Sequence, residues 1–271
     1  MFQLLEDEIV IICYACKDGD LIFDSRQFGD AVLQLQQERN HNMTQLVNCD
    51  ATDSLVEMLT PDQLLLFGST GSNYGKVPNG ICTEETPLNP TSLYAETKTY
   101  AEKKAMSHGN TIAYRFATAF GVSPRMRFDL TVNEFTKEMA LGNELVIYDA
   151  NTWRPYCHTE DFAYLICKVI EADIAKIAFE IFNVGDNENN FTKQMIVDEI
   201  LKFYPNGKVK YLEKGVDQRN YIVDFSKVNS VLNFKPKYSI SKGVNELILQ
   251  INDKKFDFKS ENQFGNYNLN L

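Results

Sequence analysis

The sequence predicts an α/β protein built around a parallel sheet, and two features of the chain support this. Short apolar runs at Ile9–Ala15, Gln63–Phe67 and Thr111–Phe116 have the length and composition of buried strands. The stretches between and after them, such as 25–39 and 161–172, are loosely amphipathic and predict helices. Buried strands that alternate with helices are typical of an open α/β sheet.

The first half of the chain predicts a strand, a turn, a loop and a helix in close succession. A short helix is expected at 53–59, before the strand Gln63–Phe67. The strand runs into a turn of small and hydroxyl-bearing residues, 68–75, where open α/β sheets bind their ligands. After a proline-punctuated loop, good helix formers continue from Ser92, a suitable N-cap, to Lys104.

The second half predicts further short elements. A helix at 128–141 is closed by Gly142 and Asn143 and precedes a strand at 144–148. From Ile181 to about Ile251 short strands alternate with helices, one beginning after Thr192 and the last after Ser239. The polar, asparagine-rich tail beyond Lys254 is expected to be loose.

Composition excludes several classes of protein. The 271-residue chain carries a net charge of −10 and has a pI of about 4.9, which disfavours a nucleic-acid partner. It contains no run of about 18 apolar residues and opens with no apolar leader, so no membrane association and a cytoplasmic location are expected. The six cysteines are scattered, which predicts free thiols in a reducing compartment.

Cys13 and Cys16 form a Cys-x-x-Cys motif, which has three possible interpretations. A zinc site lacks a second pair or a nearby histidine, and a redox pair would be expected to open a helix. The motif instead ends an apolar run, which favours small buried residues at a strand end. No metal site is therefore expected.

Tyr94 and Lys98 lie four residues apart on the predicted helix, so the phenol and the ammonium group share one face. A nearby cation favours the phenolate, which makes a tyrosine a usable acid or base near neutral pH. The alternative is a tyrosine and a lysine on a solvated helix face, because the spacing by itself is a weak signal.

These residues resemble the extended short-chain dehydrogenase/reductase family, the NAD-dependent sugar-nucleotide epimerases and dehydratases. The family combines a Tyr-x-x-x-Lys pair with a hydroxyl residue four positions before a Tyr-Gly pair, which here is Tyr74-Gly75 and selects Thr70. The similarity runs from about Asn48 to Leu249. Further matching segments are 115–127, 153–163, which is similar to an Arg-Asp-Tyr-Ile-His-Val-x-Asp-x-Ala signature, and 217–221.

The resemblance implies catalytic roles for Thr70, Tyr94 and Lys98, with Tyr94 and Lys98 also facing the cofactor. Arg154 and Arg219 match arginines that hold the substrate diphosphate, and a surface salt bridge is the alternative for Arg154. Thr118 stands where 4-epimerases carry an asparagine that contacts the nucleotide sugar.

Three further residues lie in or near the matching segments. Asn133 is either a substrate contact or an exposed helix residue. His158 is expected to be a packed structural histidine, and Asp161 a carboxylate in the first turn of its helix.

The implied fold is an N-terminally truncated Rossmann-like parallel sheet with a smaller C-terminal substrate lobe. Residues 1–122, with parts of 150–185, would form a partial cofactor domain, 123–255 mainly the substrate-binding lobe, and 256–271 a loose tail. The family's Gly-x-x-Gly-x-x-Gly turn is missing, because Gly68, Gly71 and Gly75 fail the required spacing and context.

The implied function is that of an NAD(P)-dependent nucleotide-sugar 4-epimerase or 4-dehydrogenase that serves surface-polysaccharide precursor synthesis. The similarity is to the branch around UDP-glucose 4-epimerase-like and GDP-heptose 4-dehydrogenase-like proteins. Gly71 and Ser72 stand where 4,6-dehydratases carry acid residues, so dehydration is not expected. Binding of NAD or NADP without the glycine-rich turn is an open question.

Two alternatives remain open at this stage. The chain could be a catalytically impaired remnant that binds sugar nucleotides or acts as an interaction protein, or Met1 could lie inside a longer reading frame. The expected partners are a nucleotide-sugar substrate and a second copy of the chain in a homodimer.

Overall fold

A computed structural model describes residues 44–213 and 220–258, together with the backbone of four short strands before them. Cys13, the expected helix 25–39, Arg219 and the tail from 259 lie outside the described residues. The strands are β1 (Leu4–Leu5), β2 (Ile9–Ile12), β3 (Cys16–Lys17), β4 (Asp20–Leu21), β5 (Leu64–Thr70), β6 (Lys76–Cys82), β7 (Thr111–Phe116), β8 (Thr118–Phe120), β9 (Leu145–Tyr148), β10 (Trp153–His158), β11 (Glu180–Val184), β12 (Asn190–Thr192), β13 (Val209–Leu212) and β14 (Asn220–Val223).

The α-helices follow the predicted positions closely, most of them within a few residues at each end. They are α1 (Ala51–Met58), α2 (Leu93–Met106), α3 (Thr131–Ala140), α4 (Thr159–Ile170), α5 (Lys193–Leu201), α6 (Ser226–Leu232) and α7 (Ile240–Asn252). Ser92 caps α2 through its side-chain oxygen, as predicted, and Thr192 and Ser239 cap α5 and α7 in the same way.

The main sheet has the order β1-β2-β5-β7-β11, and all neighbours except β1 and β2 pair in parallel. The prediction of a parallel sheet is therefore confirmed. Strand β2 lies directly beside β5, with Ile12 opposite Phe67, and β7 lies on the other side, with Phe116 opposite Thr70. The carboxyl end of β5 is thus held between two strands.

Helices cover both faces of this sheet, which explains why successive residues of β5 from Leu64 to Phe67 are all apolar. Leu64 and Leu66 face one core together with Leu165 of α4 and Val228 of α6. Leu65 and Phe67 face the opposite side, where Leu55 of α1 and Ala101 and Ala105 of α2 pack. Helix α2 is therefore fixed against β5 by burial of apolar side chains.

The second half of the chain forms a separate core and joins the first through small sheets. Residues of α3, α5, α7 and β9 share one apolar cluster. Strand β10 pairs in parallel with β8 and antiparallel with β12, while β14 pairs with β6 and β13 with β9. Since β6 directly follows the turn after β5, the pairing of β14 with β6 brings β14 next to the carboxyl edge of the main sheet.

Two expectations are corrected here. Helix α3 begins at Thr131 rather than at 128, because Phe128 leaves the helix path and packs against Phe256 and Phe258. The same contacts show that the expected loose tail begins later than 256. Gly142 has a φ of 76°, the left-handed conformation predicted for the residue after this helix.

Among the described residues, no helix has the length and apolar character that a membrane crossing requires.

Candidate active site

Thr70 is the last residue of β5 and lies at the carboxyl edge of the main sheet. Its Oγ1 accepts a hydrogen bond of 3.2 Å from the Ser72 backbone N–H, which opens a 3₁₀ turn from Gly71 to Tyr74. The side chain is largely buried and is 8% exposed. The bond from Ser72 uses a lone pair of Oγ1 and not its proton. The hydroxyl proton is therefore available to be donated to another oxygen.

Ser69, the neighbouring hydroxyl, has a different role. Its Oγ donates to Glu102 Oε2 over 2.6 Å. Its proton is therefore committed within the protein, which supports Thr70 as the hydroxyl that would meet a substrate.

Helix α2 carries Tyr94 and Lys98 past this turn. Tyr94 is partly exposed, whereas Lys98 is fully buried, with its Nζ donating to the Gly68 carbonyl over 2.6 Å and lying 4.6 Å from the centre of the Phe67 ring. Lys98 therefore ties α2 to the strand that carries Thr70. The alternative of a solvated lysine on a helix surface is wrong.

Arg154 of β10 lies near the carboxyl edge of the main sheet, where its side chain packs against Tyr221 of β14. The Arg154 guanidinium lies 5.4 Å from the centre of the Tyr221 ring. A Cβ added to Gly71 would lie 3.6 Å from the Tyr221 hydroxyl, so the turn and this aromatic ring are neighbours. Arg154 is 6% exposed, and the alternative of a surface salt bridge is therefore wrong.

Thr118 belongs to β8, two residues beyond the end of β7, and its strand partner is Tyr156 of β10. Phe116, which ends β7, pairs with Thr70. The structure thus places Thr118 at the same edge of the sheet as Thr70.

Asn133 is buried at 2% exposure, which contradicts the alternative of an exposed helix residue. Its Oδ1 accepts from Gly121 N over 2.9 Å and its Nδ2 donates to the Arg127 carbonyl over 2.8 Å. The side chain therefore holds the loop between β8 and α3.

His158 is fully buried, as predicted for a structural histidine. Its Nδ1 accepts from Glu160 N, so its Nε2 carries the proton that bonds to Glu246 over 2.8 Å. Its ring also stacks on Tyr238, with ring centres 3.9 Å apart.

Asp161 lies in the first turn of α4, as predicted, and accepts the backbone N–H groups of Lys237 and Tyr238. Burial raises the pKa of this carboxyl group above its ordinary value.

The sequence prediction missed a buried ion pair beneath the turn, formed by Arg115 of β7 and Glu102 of α2. Two signals could have indicated it. Arg115 interrupts an otherwise uncharged strand, and a buried charge requires a partner. Glu102 stands four residues after Lys98, on the same helix face.

The parallel sheet with helices on both faces, and the polar side chains gathered at its carboxyl edge, define a Rossmann-like α/β protein. The chain belongs to the NAD dependent epimerase/dehydratase family, whose profile matches residues 26–185.

Two relatives show how far the sequence similarity extends. An uncharacterised protein of Methanocaldococcus jannaschii is 30% identical over 193 residues, which are 66% of this chain and 56% of that protein. A dTDP-glucose 4,6-dehydratase of Streptomyces niveus is 24% identical over 250 residues, 85% of this chain and 72% of the relative. The matched part spans little more than half the length of the first relative.

The structural similarity extends over most of the chain. The crystal structure of UDP-glucuronic acid 4-epimerase from Bacillus cereus, in complex with UDP-glucuronic acid and NAD, aligns with a TM-score of 0.69 at 23% identity. The alignment covers 78% of this chain and 69% of that chain. This similarity establishes the shared fold.

Proposed function

We propose that the protein is an NAD(P)-dependent nucleotide-sugar 4-epimerase or 4-dehydrogenase that acts at C4 of the sugar. The observation that carries the proposal is the attachment of α2 to the end of β5 by the 2.6 Å bond from Lys98 to Gly68. It holds the helix with Tyr94 against the turn with Thr70, and family membership provides the chemical context.

Each residue has a defined task in this proposal. Tyr94 takes the proton from the C4 hydroxyl, and the charge of Lys98 favours the phenolate form that can accept it. Thr70 donates its free proton to the C4 oxygen as that oxygen becomes a carbonyl. Its bond from Ser72 N–H fixes the direction of that donation.

Arg154 binds the substrate diphosphate, since a guanidinium offers forked donors that suit phosphate oxygens. Its position over Tyr221, beside the turn, would keep the diphosphate within reach of a sugar held at Thr70. Thr118 is proposed to contact the sugar from the same edge, and Arg219 to contact the diphosphate. Binding energy from the remote diphosphate would then orient the reacting carbon.

The residues that would face a nicotinamide are Tyr94 and Lys98 of α2, and they fit this group because Lys98 binds the Gly68 carbonyl near the carboxyl end of the parallel strand β5. A bound NAD would supply the acceptor for the C4 hydride. Lys98 would in addition hold the ribose next to the nicotinamide. The similar solved structures are complexes with NAD.

Water elimination is disfavoured by the residues of the turn. A side chain at position 71 would lie in ordinary contact distance of Tyr221, yet the chain has glycine there. Gly71 and Ser72 therefore provide no carboxylic acid that could protonate a leaving hydroxyl. The proposal is therefore restricted to epimerisation or oxidation at C4, although dehydratases occur among the relatives.

One sequence observation favours a second candidate, a family member that binds sugar nucleotides without redox catalysis. Only Gly19 and Gly29 precede Gly68, so the first part of this sequence holds no Gly-x-x-Gly-x-x-Gly turn to bind a pyrophosphate. Calorimetric titration with NAD⁺ and NADH separates the two candidates. Micromolar binding supports the enzyme, and no binding by the folded chain supports the second candidate.

The catalytic assignment is tested by Tyr94→Phe. We expect turnover of UDP- or GDP-sugars to be lost while calorimetric binding of the sugar nucleotide stays within about threefold of the original, because only the proton acceptor is removed. Unchanged turnover would refute the role of Tyr94.

A further inference from the structure

The ion pair of Arg115 and Glu102 lies directly beneath the proposed active site. Arg115 Nη2 lies 2.7 Å from Glu102 Oε1, and its Nε lies 3.0 Å from Oε2, so the two groups are paired in a forked arrangement. Their side chains are only 5% and 3% exposed. Burial acts to lower the pKa of Arg115, but the bonds and charge of Glu102 outweigh it and leave the pKa raised. Arg115 therefore remains charged.

Glu102 also binds the turn on both sides of Thr70. Its Oε2 accepts from Ser69 Oγ over 2.6 Å and from Asn73 Nδ2 over 3.4 Å. Asn73 Nδ2 donates to Ser69 Oγ as well, over 3.1 Å. Thr70 is thus enclosed between two residues that share one buried carboxylate.

Arg115 fixes the far end of the same turn. Its Nη1 donates to the Tyr74 hydroxyl over 3.1 Å and to the Glu84 carbonyl over 3.0 Å. Burial raises the pKa of Tyr74 to about 12, so its phenol keeps its proton and donates to Asn183 Oδ1 over 2.6 Å. The turn is therefore bonded to β7, β11 and α2 at once.

Glu102 stands on α2 at the same four-residue spacing that separates Tyr94 and Lys98, so all three side chains lie along one helix face. Lys98 holds Gly68, and Glu102 holds Ser69 and Asn73. We infer that Glu102, oriented by Arg115 and acting through Ser69, is a positioning residue that fixes the Thr70 hydroxyl relative to the Tyr94 phenol. This inference rests on the proposed reaction at C4.

A purely stabilising ion pair would have no need to bind the turn. If the ion pair only stabilised the fold, two variants with the same loss of stability would show the same loss of activity. A positioning role instead acts on the reacting geometry, so it lowers kcat more than it changes KM.

The sharpest variant is Ser69→Ala, since it removes the shorter of the two bonds between Glu102 and the turn but keeps both members of the buried ion pair. Glu102→Gln removes the charge opposite Arg115 and could prevent folding. The matched control is Thr136→Val, which removes a buried hydroxyl that donates to the Val132 carbonyl inside α3. Ser69→Ala loses the bond to Glu102 and the bond from Asn73, and Thr136→Val loses one bond, but only Ser69 belongs to the turn.

Two measurements are made on the original protein and on both variants. The first is kcat and KM with a nucleotide sugar. The second is the titration of Tyr94 among the 13 tyrosines, followed by NMR of ¹³Cζ-labelled tyrosine and assigned with Tyr94→Phe. The second measurement requires no turnover, so it remains informative if the proposed function fails.

We expect Ser69→Ala to lower kcat by about 10- to 100-fold with KM within about threefold, and to shift the Tyr94 titration by about half a pH unit or more. Thr136→Val is expected to change neither. Equal behaviour of the two variants, or an unchanged Tyr94 titration in Ser69→Ala, overturns the inference. If the original protein shows no turnover, the proposed function fails and the Tyr94 titration decides the positioning role.

Discussion

Gly75 is the position where a single methyl group should disturb the candidate site most clearly. Its φ is +65° with ψ of −123°, a combination that residues with a side chain rarely adopt. A Cβ built there would lie 1.7 Å from the Asn89 carbonyl oxygen and 2.8 Å from its carbon, so backbone would have to move. Asn89 N in turn donates to the Asn73 carbonyl, which belongs to the turn after Thr70.

The expected loss of stability for Gly75→Ala has two parts. The positive φ by itself costs about 1–2 kcal/mol for a residue with a Cβ. Displacing Asn89 from Asn73 breaks a 3.0 Å bond, which is worth about 1 kcal/mol. Together they predict a decrease of about 2–3 kcal/mol in the free energy of unfolding, before any loss of packing is counted.

Gly109→Ala is the matched control, because Gly109 also has a positive φ, +86°, but no atom lies within 4 Å of an added Cβ. It measures the backbone contribution alone. Urea denaturation of both variants, with equal m-values, isolates the contribution of the clash. If Gly75→Ala and Gly109→Ala agree within about 0.5 kcal/mol, the close approach of Asn89 does not exist as described and the reasoning is refuted.

Two further predictions concern stability away from the site. Phe179 has φ of 65° and is 60% exposed, and asparagine tolerates a positive φ better than phenylalanine. Phe179→Asn should therefore raise the free energy of unfolding by about 0.5–1 kcal/mol, whereas Asn233→Ala, at φ of 47°, should lower it. Changes of the same sign for both variants in urea denaturation would contradict this reasoning. Burial acts to raise the pKa of Asp224, but its bonds with Ser226 outweigh burial and lower it below its ordinary value of 3.8. The folded state then binds fewer protons than the unfolded state, so this contribution is complete above that ordinary value and is lost as the pH falls through the lowered pKa. Asp224→Asn should make the loss of thermal stability below about pH 4 shallower, and an unchanged pH profile would count against the capping bonds.

The sequence predicted the local elements of the site better than their assembly. The strand at 63–67 and the helix from Ser92 were recognisable from apolar runs and capping, because both signals are local. The pairing of β14 with β6, which brings Tyr221 to the turn, joins residues more than 130 positions apart. No local pattern could predict that contact.

The roles of individual side chains were harder to predict than their positions. Asn133 was considered as a substrate contact from resemblance, yet its amide is bonded to the backbone of Gly121 and Arg127. Glu102 was counted only among the helix formers of α2, since helix propensity does not show that a carboxylate is buried. The domain limits at 122 and 255 stay predictions, although the pairing of β11 with β7 shows that the chain returns to the main sheet after 122.

The most direct test of the proposed reaction follows a deuterium atom placed at C4 of a nucleotide sugar with a C6 hydroxyl, such as UDP-glucose. Mass spectrometry and NMR locate the label after incubation with the protein and NAD⁺. The account predicts deuterium at C4 of an epimerised sugar or on the released nicotinamide, and no conversion by Tyr94→Phe. Deuterium at C6 would indicate dehydration, and unreacted sugar from a folded chain that binds both ligands would contradict catalysis by Thr70, Tyr94 and Lys98.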